Sequence, residues 1–492
     1  MTTPFFPSWR CCLAPLGSRL KRTADPFRRA TLAHLEATLR PALPADLLAR
    51  PAGGEHSRRR VFCLDRTFWC WIWQIFQGNT SCRQVVRQRQ ALLSLLEQPP
   101  IDEDCSAYCQ ARQHLSPGLL EKAFRASAAS AQKQTPGGTL LQARPIKLVD
   151  ASSVRLEDTP ANRAAFPPSQ NQFSRPGFPL LKFLALFSLA SGSLLARATG
   201  PLQVAETRLL MSLRPHLQSG DILAGDRAYG LYVMLHWVRS LGADLVARLN
   251  VRSRRVDFRQ AIQKLGPRDG LFLWHKPQAP SKLLSPQEWA QVPKTLVVRL
   301  LQVSLDRPGF RTRQLTLVTT LVEALLYPAE ELFEVYFKRW RLEMCLDDLK
   351  TTLGMEKLHC RTPALALKEL LIFLIAHNFL RWIMGQAAAA GEVNLERISF
   401  TGTLDAFRQW SVALVQVRAP GRQAKQKRLW RELLQIIAAD LVPERPGRKE
   451  PRAVKKTSKY PRLTKPRRLY VDRWSRNKKR RAQRARNRAT LN

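Results

Sequence analysis

The chain has 492 residues, enough for two or three domains, and 45% of them are hydrophobic, which argues against wholesale disorder. Its 80 Lys and Arg outnumber 38 Asp and Glu, and the net charge of +42 at pH 7 indicates a polyanionic partner, most simply nucleic acid. Insertion into a membrane is not expected. Residues 183–196 are too short to span a bilayer, and residues 369–384 carry His377, Asn378 and Arg381, so they predict a buried helix.

The opening residues and the cysteines favour the reduced cytoplasm as the location. The N-terminus lacks the charged-then-apolar order of a signal peptide. Nine cysteines show no paired framework. Cys105, Cys109 and His114 have no second pair that would complete a tetrahedral zinc site, so no metal is assigned there.

Residues 61–127 predict helices. The segments RTFWCWIWQIF and CRQVVRQRQALLSLLEQ flank the break QGNTS, an arrangement typical of a helix-turn-helix, with Arg83, Arg87 and Arg89 on the second helix. A helical bundle with solvated arginines fits the same pattern equally well. Both interpretations remain open from the residues alone.

Past residue 140 the pattern changes to strands. PIKLVDASSVRLED alternates like a β-hairpin, and LKFLALFSLASGSLLARATG predicts two strands joined at SGS. GDILAGDRAYG predicts a short strand that ends in a polar turn, followed by a helix. Residues 245–325 are again mainly β in pattern, and residues 364–387 predict a long helix.

The segment YFKRWRLEMCLDDLK predicts a helix with one functional face. At about 100° per residue, Tyr336, Arg339, Glu343 and Lys350 fall within an arc of roughly 60° and are expected to look outward together. An apolar stripe on another side would anchor the helix on a core: Val335, Leu342, Leu346, Leu349 and Leu353. The alternative is an ordinary amphipathic helix with a solvated charged face.

Three acids stand out by position. Asp150 lies inside an apolar strand, Asp226 at the end of a second strand, and Glu343 on the helix. Carboxylate oxygens suit Mg²⁺, and two such ions about 4 Å apart can promote attack on a phosphodiester. Taken singly, Asp150 could cap a turn, Asp226 could terminate its strand and Glu343 could pair with Arg339. Their joint occurrence in so basic a chain favours the metal site.

Several segments together resemble DDE transposases of bacterial insertion sequences, specifically the insertion-sequence-four family. The segments are VDASSVRLEDTPANRAAFP, GFPLLKFLALFSLASG, GDRAYG, RPGFRTRQLTLVTTL and YFKRWRLEMCLDDLKTTLGMEKLHCRTP. The family signature is Tyr, two residues, Arg, three residues, Glu, six residues, Lys, and this chain satisfies every interval. The resemblance covers roughly residues 60 to 385 and shows no departure at the catalytic positions.

The resemblance implies an α/β fold. It would have a ribonuclease H-like catalytic core, a β-rich insertion between the second Asp and the Glu, an N-terminal helical domain and a basic C-terminal tail. Asp150, Asp226 and Glu343 would be catalytic and would bind two Mg²⁺ ions, with Mn²⁺ as a substitute. The 117 positions from Asp226 to Glu343 are too many for one connection, as such an insertion requires.

The implied function is that of a DNA transposase that cuts the ends of an insertion sequence and joins them to target DNA. The reactions would be phosphodiester hydrolysis and transesterification, in a cut-and-paste route that could pass through a hairpin. Tyr336, Arg339 and Lys350 are expected to bind DNA phosphates, and Asp347 to orient Lys350. Arg227 and Tyr229 would position their loop or touch DNA. Partners would be the element ends and the target, with a homodimer on DNA.

The expected division of the chain follows the changes in pattern. Its parts are a basic, Pro-rich segment 1–55, a helical and possible DNA-binding domain 56–130, core parts 140–245 and 326–390, a β-rich insertion 246–325, a helical region 391–444 and a basic tail 445–492. The tail holds 20 Lys or Arg against two acids. It could be a sequence-independent DNA clamp or a disordered solubilising tail. The competing functions are a ribonuclease H-like nuclease or resolvase and a non-catalytic DNA-binding protein.

Overall fold

The computed structural model describes residues 35, 38–53, 60–95, 99–135, 138–169, 177–250, 256–304, 314–416 and 423–443. Within these residues the chain forms a mixed α/β fold around a nine-stranded sheet. The strands are β1 Ile146–Arg155, β2 Leu180–Ser188, β3 Leu194–Pro201, β4 Ile222–Gly225, β5 Asp244–Arg248, β6 Gln263–Gly266, β7 Asp269–His275, β8 Thr295–Ser304 and β9 Gln314–Thr319.

The order across the sheet is β3-β2-β1-β4-β5-β9-β8-β7-β6. Strands β1, β4 and β5 are parallel neighbours, and the remaining pairs are antiparallel. The β-rich stretch after β5 therefore continues the same sheet, because β9 pairs directly with β5. Parallel strands need crossover connections, and α-helices supply them here.

Helices lie on both faces of the sheet. The longer ones are α1 Leu64–Phe76, α2 Cys82–Leu95, α3 Ser106–His114, α4 Pro117–Lys133, α5 Pro160–Ala165, α6 Glu206–Ser212, α7 Tyr232–Ser240, α8 Pro286–Gln291, α9 Ala329–Lys338, α10 Trp340–Asp347, α11 Pro363–Gly391, α12 Phe400–Gln416 and α13 Gln423–Ala439. Strand β2 shows the two-sided burial, since Phe183 and Phe187 enter one core while Leu184 and Leu186 enter the other.

Two strand predictions differ in outcome. The predicted pair joined at SGS is confirmed as β2 and β3, and Gly192 in their connection has φ +65°, a left-handed conformation that favours glycine. The predicted hairpin at PIKLVDASSVRLED is wrong. This segment is the single strand β1, because its pairing with β2 runs without a break from Lys147 to Arg155.

Helix α11 is the central helix of the larger core. It is long and apolar enough to cross a membrane, yet most of it is buried inside the protein, as predicted for residues 369–384. Two of its polar side chains have partners there: Asn378 accepts from the Leu194 backbone N–H at 2.8 Å and donates to the Leu194 carbonyl, and Arg381 donates to the Ser191 carbonyl. Buried His377 makes no hydrogen bond to a described residue through either ring nitrogen.

The N-terminal helices pack onto this core. Helices α1 and α2 flank a turn with Gly78 and Asn79 at positive φ, so the predicted pair of helices is confirmed. Asn79 donates a hydrogen bond of 3.0 Å to Glu369 of α11, a buried carboxylate that also accepts from the His359 and Cys360 backbone N–H groups. This hydrogen-bonded carboxylate ties the α1–α2 turn to the central helix.

The helix predicted over Tyr336–Lys350 is interrupted. Helix α9 ends at Lys338, Arg339 stands at the junction, α10 runs to Asp347, and a π-helical turn covers Asp348–Thr352. The apolar stripe is confirmed as buried. A uniform helical wheel does not hold across these breaks, because a π-turn advances each residue by a smaller angle than an α-helix.

Candidate active site

Asp150 and Asp226 lie side by side on neighbouring parallel strands. The last paired residues of β1 and β4 are Leu148 and Ala224; Asp150 stands two residues farther along β1, and Asp226 stands two residues past Ala224, directly after the end of β4. Neighbouring strands are about 4.8 Å apart, so the two residues are level and adjacent. Asp150 Oδ1 accepts from the Ala151 N–H at 2.8 Å, and Asp226 Oδ1 accepts from the Ala228 N–H at 2.7 Å.

The negative charge of the Asp150 carboxylate is poorly compensated by its surroundings. Burial raises its pKa to about 6, and the nearby Asp226 and Glu206 carboxylates add to this, while the Ala151 N–H and Arg339 oppose it. Such a carboxylate would gain from a strong cation beside it. Glu206 at the start of α6 is an acid that the sequence did not single out, because no motif surrounds it.

Glu343 is joined to Asp150 on β1 through Arg339. The Arg339 guanidinium lies 3.1 Å from Glu343 Oε1 and 3.9 Å from Asp150 Oδ2. The predicted alternative, an ion pair between Arg339 and Glu343, is therefore present together with the approach to Asp150. The Glu343 side chain remains 47% exposed, against 16% for Arg339. Arg339 Nε has no hydrogen-bond partner.

The described residues contain no group of three His, Cys, Asp or Glu close enough to hold a metal ion. Asp150 and Asp226 come together, whereas Glu343 is linked to Asp150 through the guanidinium of Arg339. The positive charge between the Asp150 and Glu343 carboxylates is that of the Arg339 side chain.

Tyr336 and Lys350 differ from the predicted outward face. Tyr336 is 9% exposed, burial raises its pKa, and its ring lies 5.7 Å from the Arg339 guanidinium carbon. Lys350 is half-buried in the π-helical turn and makes no ion pair with a described acid. Asp347 accepts a hydrogen bond from Thr351 Oγ at 2.7 Å rather than from Lys350.

Arg227 and Tyr229, next to Asp226, point in different directions. Arg227 is exposed, but Tyr229 is fully buried, so this conformation gives Tyr229 no contact with DNA. Its ring packs so close to Gly225 that a Cβ there would lie 2.6 Å from Tyr229 Cδ2. The Tyr229 hydroxyl has no partner, and burial raises its pKa, with the carboxylates of the site adding to the effect. The Tyr229 ring therefore packs beneath the backbone segment that carries Asp226.

Two further charged residues near the site escaped the sequence analysis. Arg248 ends β5, the third parallel strand, and its charge acts on Tyr336. Asp348 is largely buried in the π-helical turn, and this burial raises its pKa to about 7. The available signal for Arg248 was a basic residue at the end of the apolar strand segment LVAR, residues 245–248. None marked Asp348, which looked like one more acid of a solvated face.

The chain is similar to known transposases. The family model of the transposase DDE domain matches residues 141–379, a range that contains Asp150, Asp226 and Glu343. A solved cryo-EM structure of the piggyBac transposase synaptic complex with hairpin DNA is also similar, over 87% of this chain and 86% of that chain. With a TM-score of 0.38 and 9% identity, that likeness is too weak to support a conclusion.

The domain match makes residues 141–379 similar to a transposase DDE domain. Transposase InsG for insertion sequence element IS4 of Escherichia coli (strain K12) is 28% identical over 444 residues, which cover 88% of this chain and 94% of that protein. The chain is thus similar to a DDE transposase of an IS4 element over most of its length.

Proposed function

We propose that this chain is a DDE transposase of the IS4 family that cuts the ends of an insertion sequence and joins them to target DNA, using Asp150, Asp226 and Glu343 as its catalytic carboxylates. One observation carries the proposal: two aspartates stand level on adjacent parallel strands, and the guanidinium of Arg339 connects Asp150 to Glu343. The reactions are hydrolysis of a phosphodiester followed by transesterification with the liberated 3′-hydroxyl.

The strand order supports the expected fold and division of the chain. The order β3-β2-β1-β4-β5, antiparallel on one side and parallel on the other, is that of a ribonuclease H-like core. Strands β6 to β9 are then the β-rich insertion, here an extension of the core sheet. The division proposed from the sequence is kept, and the tail 445–492 lies outside the described residues.

The three carboxylates suit magnesium. Asp150 is a half-buried oxygen ligand with a raised pKa, and Asp226 is adjacent; hard divalent cations prefer such carboxylate oxygens. Asp150, Asp226 and Glu343 would hold two Mg²⁺ ions, with Mn²⁺ as a substitute. Bound divalent ions supply Lewis acidity that polarises the attacking oxygen and stabilises the leaving oxygen. The half-exposed Glu343 side chain has room to reorient toward the aspartates.

Other residues of the chain would hold the DNA strand. Arg339 and Lys350 are suited to phosphate oxygens, and Lys350 has no competing acid among the described residues. Arg227 is exposed beside Asp226 and can reach the backbone. Tyr336 packs beside Arg339 and limits its positions. Asp347 supports the π-helical turn that carries Lys350, through its bond to Thr351.

The partners are the two element ends and the target DNA. Because both ends must be held at once, we propose a homodimer on DNA. A hairpin on one strand is one route of excision. The proposed location is the bacterial cytoplasm, in contact with the nucleoid.

A labelled candidate end incubated with Mg²⁺ tests the proposal. The wild type should cut the end and join it, and Asp226→Asn should lose both reactions while still binding DNA. Asp257→Asn, at an exposed acid outside the site, is the matched control and should remain active. Cutting without joining would indicate a nuclease, and binding without cutting would indicate a non-catalytic DNA-binding protein.

A further inference from the structure

Arg89 on α2 is a buried cation that forms no direct ion pair with a described carboxylate, although Asp65 lines the same cavity. Its residue is 8% exposed, and its Nε has no hydrogen-bond partner among the described residues. Arg87, two residues away on the same helix, is exposed and pairs with Glu103 at 2.7 Å. Arg89 therefore does not lie on an outer recognition face, where the sequence pattern would have placed it. An unpaired charge costs several kcal/mol to bury, so the position calls for an anion from outside the chain.

Arg89 borders a cavity of about 730 Å³ that is strongly basic. Arg50, Arg60 and Arg66 also line it, and Asp65 is the acid among the described lining residues. Arg60 and Arg66 make no ion pair with a described carboxylate. The described lining thus contains four guanidinium groups and one carboxylate.

Asp65 already accepts a hydrogen bond from a neighbouring side chain. The Cys63 thiol donates a hydrogen bond of 2.8 Å to Asp65 Oδ1, and burial together with this carboxylate raises the pKa of Cys63, which keeps the thiol protonated. Leu64, Leu93 and Ile101 form apolar parts of the wall. An apolar surround lowers the local dielectric and strengthens any ion pair formed there.

We propose that this cavity is a binding site for a phosphate group, with Arg89 at its base and Arg60 and Arg66 beside the entering anion. The planar fork of a guanidinium matches two phosphate oxygens, and several such groups match a dianion or a backbone phosphate. Two sources share this chemistry: a phosphate of the DNA backbone and a free phosphate ester. The site uses none of the residues of the candidate active site and does not depend on the proposed cutting reaction.

Thermal unfolding tests the site without cutting or Mg²⁺. Inorganic phosphate, added against chloride at constant ionic strength, should raise the melting temperature of the wild type in a saturable way, and Arg89→Met should abolish this rise. In chloride alone, Arg89→Met should be at least as stable as the wild type, because an unpaired buried charge has been removed. Arg87→Met should keep the phosphate effect. A wild type that phosphate does not stabilise, or a less stable Arg89→Met with an unchanged phosphate effect, would overturn the proposal.

Duplex DNA distinguishes the two sources. If the phosphate belongs to DNA, Arg89→Met should reduce the slope of log affinity against log salt by about one. If the slope stays unchanged while the phosphate effect is lost, the ligand is a free phosphate ester. Since both readouts are independent of strand cleavage, failure of this site and failure of the proposed chemistry can be told apart.

Discussion

At the scale of single residues, Arg339 determines how the acids are arranged. Its guanidinium lies within 4 Å of both Asp150 and Glu343, so it balances carboxylates that would otherwise repel each other. Its position at the junction of α9 and α10 makes this reach possible. When DNA phosphates and divalent ions enter the site, this cation has competitors for the carboxylates and an alternative partner in the phosphate.

Arg339→Gln is expected to tighten Mn²⁺ binding to the DNA-free protein by about fivefold, which corresponds to roughly 1 kcal/mol. The reason is that the guanidinium no longer competes for Asp150 and Glu343. Titration followed by the electron paramagnetic resonance signal of free Mn²⁺ measures the effect. Arg341→Gln is the matched control, because Arg341 pairs with Glu396 at 2.7 Å and should leave Mn²⁺ affinity unchanged. Unchanged or weaker binding in Arg339→Gln would contradict the role assigned to this residue.

Asp348 gives the protein a pH-dependent stability. Burial raises its pKa from 3.8 to about 7, although Arg381 opposes the shift. The fold thus favours the neutral acid. This contribution is fully present below about pH 4 and is lost as the pH rises through 7. Asp348→Asn should therefore be more stable than the wild type at pH 8, by about 2–4 kcal/mol, and equal to it near pH 4.

Urea unfolding at pH 4, 6 and 8 measures this difference. Asp405→Asn, at an exposed acid paired with Arg408, controls for the loss of one negative charge and should show no such trend. A difference between Asp348→Asn and the wild type that does not grow with pH would show that the carboxyl is ionised at low cost in the fold.

At the scale of elements, the segments that could be predicted are those whose local hydrophobic pattern matches their burial in the folded protein. Strands β2 and β4 and helix α11 were predictable because largely apolar runs end at turn residues and match extensive burial. Strand β3 was predictable from its alternation, which matches burial of every second residue. Strand β1 was mistaken for a hairpin because its polar residues AlaSerSer resemble a turn. Pairing with β2 over its full length overrides that local preference.

The break at Arg339 and the π-helical turn at Asp348–Thr352 could not be read from the sequence. No Pro or Gly marks either point. The signature intervals place Tyr336, Arg339, Glu343 and Lys350 on one ideal helix, yet the interruptions bury Tyr336 and move Lys350 away from the expected angle. These elements pack against the sheet and α11, contacts that the spacing of a motif does not encode.

Gly225 is the last residue of β4, and the position of the next residue, Asp226, depends on how closely Gly225 packs. A Cβ there would lie 2.6 Å from Tyr229 Cδ2 and 3.2 Å from Val149 Cγ1. Gly225→Ala should lower the free energy of unfolding by about 1–3 kcal/mol through overpacking, and it should slow cutting because Asp226 is displaced. Chemical denaturation and the cutting assay check the two effects.

Gly118→Ala is the control for this substitution. Gly118 lies in α4, and its Cβ would meet only Ser116 Oγ, at an ordinary distance of 3.6 Å. The control should be neutral or slightly stabilising, by up to about 1 kcal/mol. If Gly225→Ala behaved like Gly118→Ala, the close packing of Tyr229 beneath Asp226 would not restrain the site.

At the scale of the whole molecule, one sheet and one central helix unite the parts. The β-rich stretch could be predicted as strands, but not that it would extend the core sheet through β5 and β9, since pairing between distant strands leaves no local trace. Buried Arg299 secures this extension by donating to Asp269 at 2.8 Å and to the Tyr327 carbonyl at 2.6 Å. The N-terminal helices join the same body through Glu369.

The basic tail is expected to act on DNA binding as a whole. Removal of residues 445–492 takes away 20 Lys or Arg and two acids. If the tail clamps DNA, the truncated protein should show a clearly shallower slope of log affinity against log salt, because fewer counterions are released on binding. Fluorescence anisotropy with a duplex of arbitrary sequence measures the slope. An identical slope would rule out the clamp.

The most direct measurement for the central claim is a metal-specificity rescue at Glu343. Glu343→Cys places a soft ligand where hard Mg²⁺ prefers oxygen, whereas Mn²⁺ accepts sulfur more readily. The account predicts that Glu343→Cys binds DNA, fails to cut a labelled element end with Mg²⁺, and regains cutting with Mn²⁺. Glu334→Cys, at an exposed acid on α9, should cut with either ion. Cutting by Glu343→Cys at the wild-type rate in Mg²⁺ would contradict the assignment of Glu343 as a metal ligand.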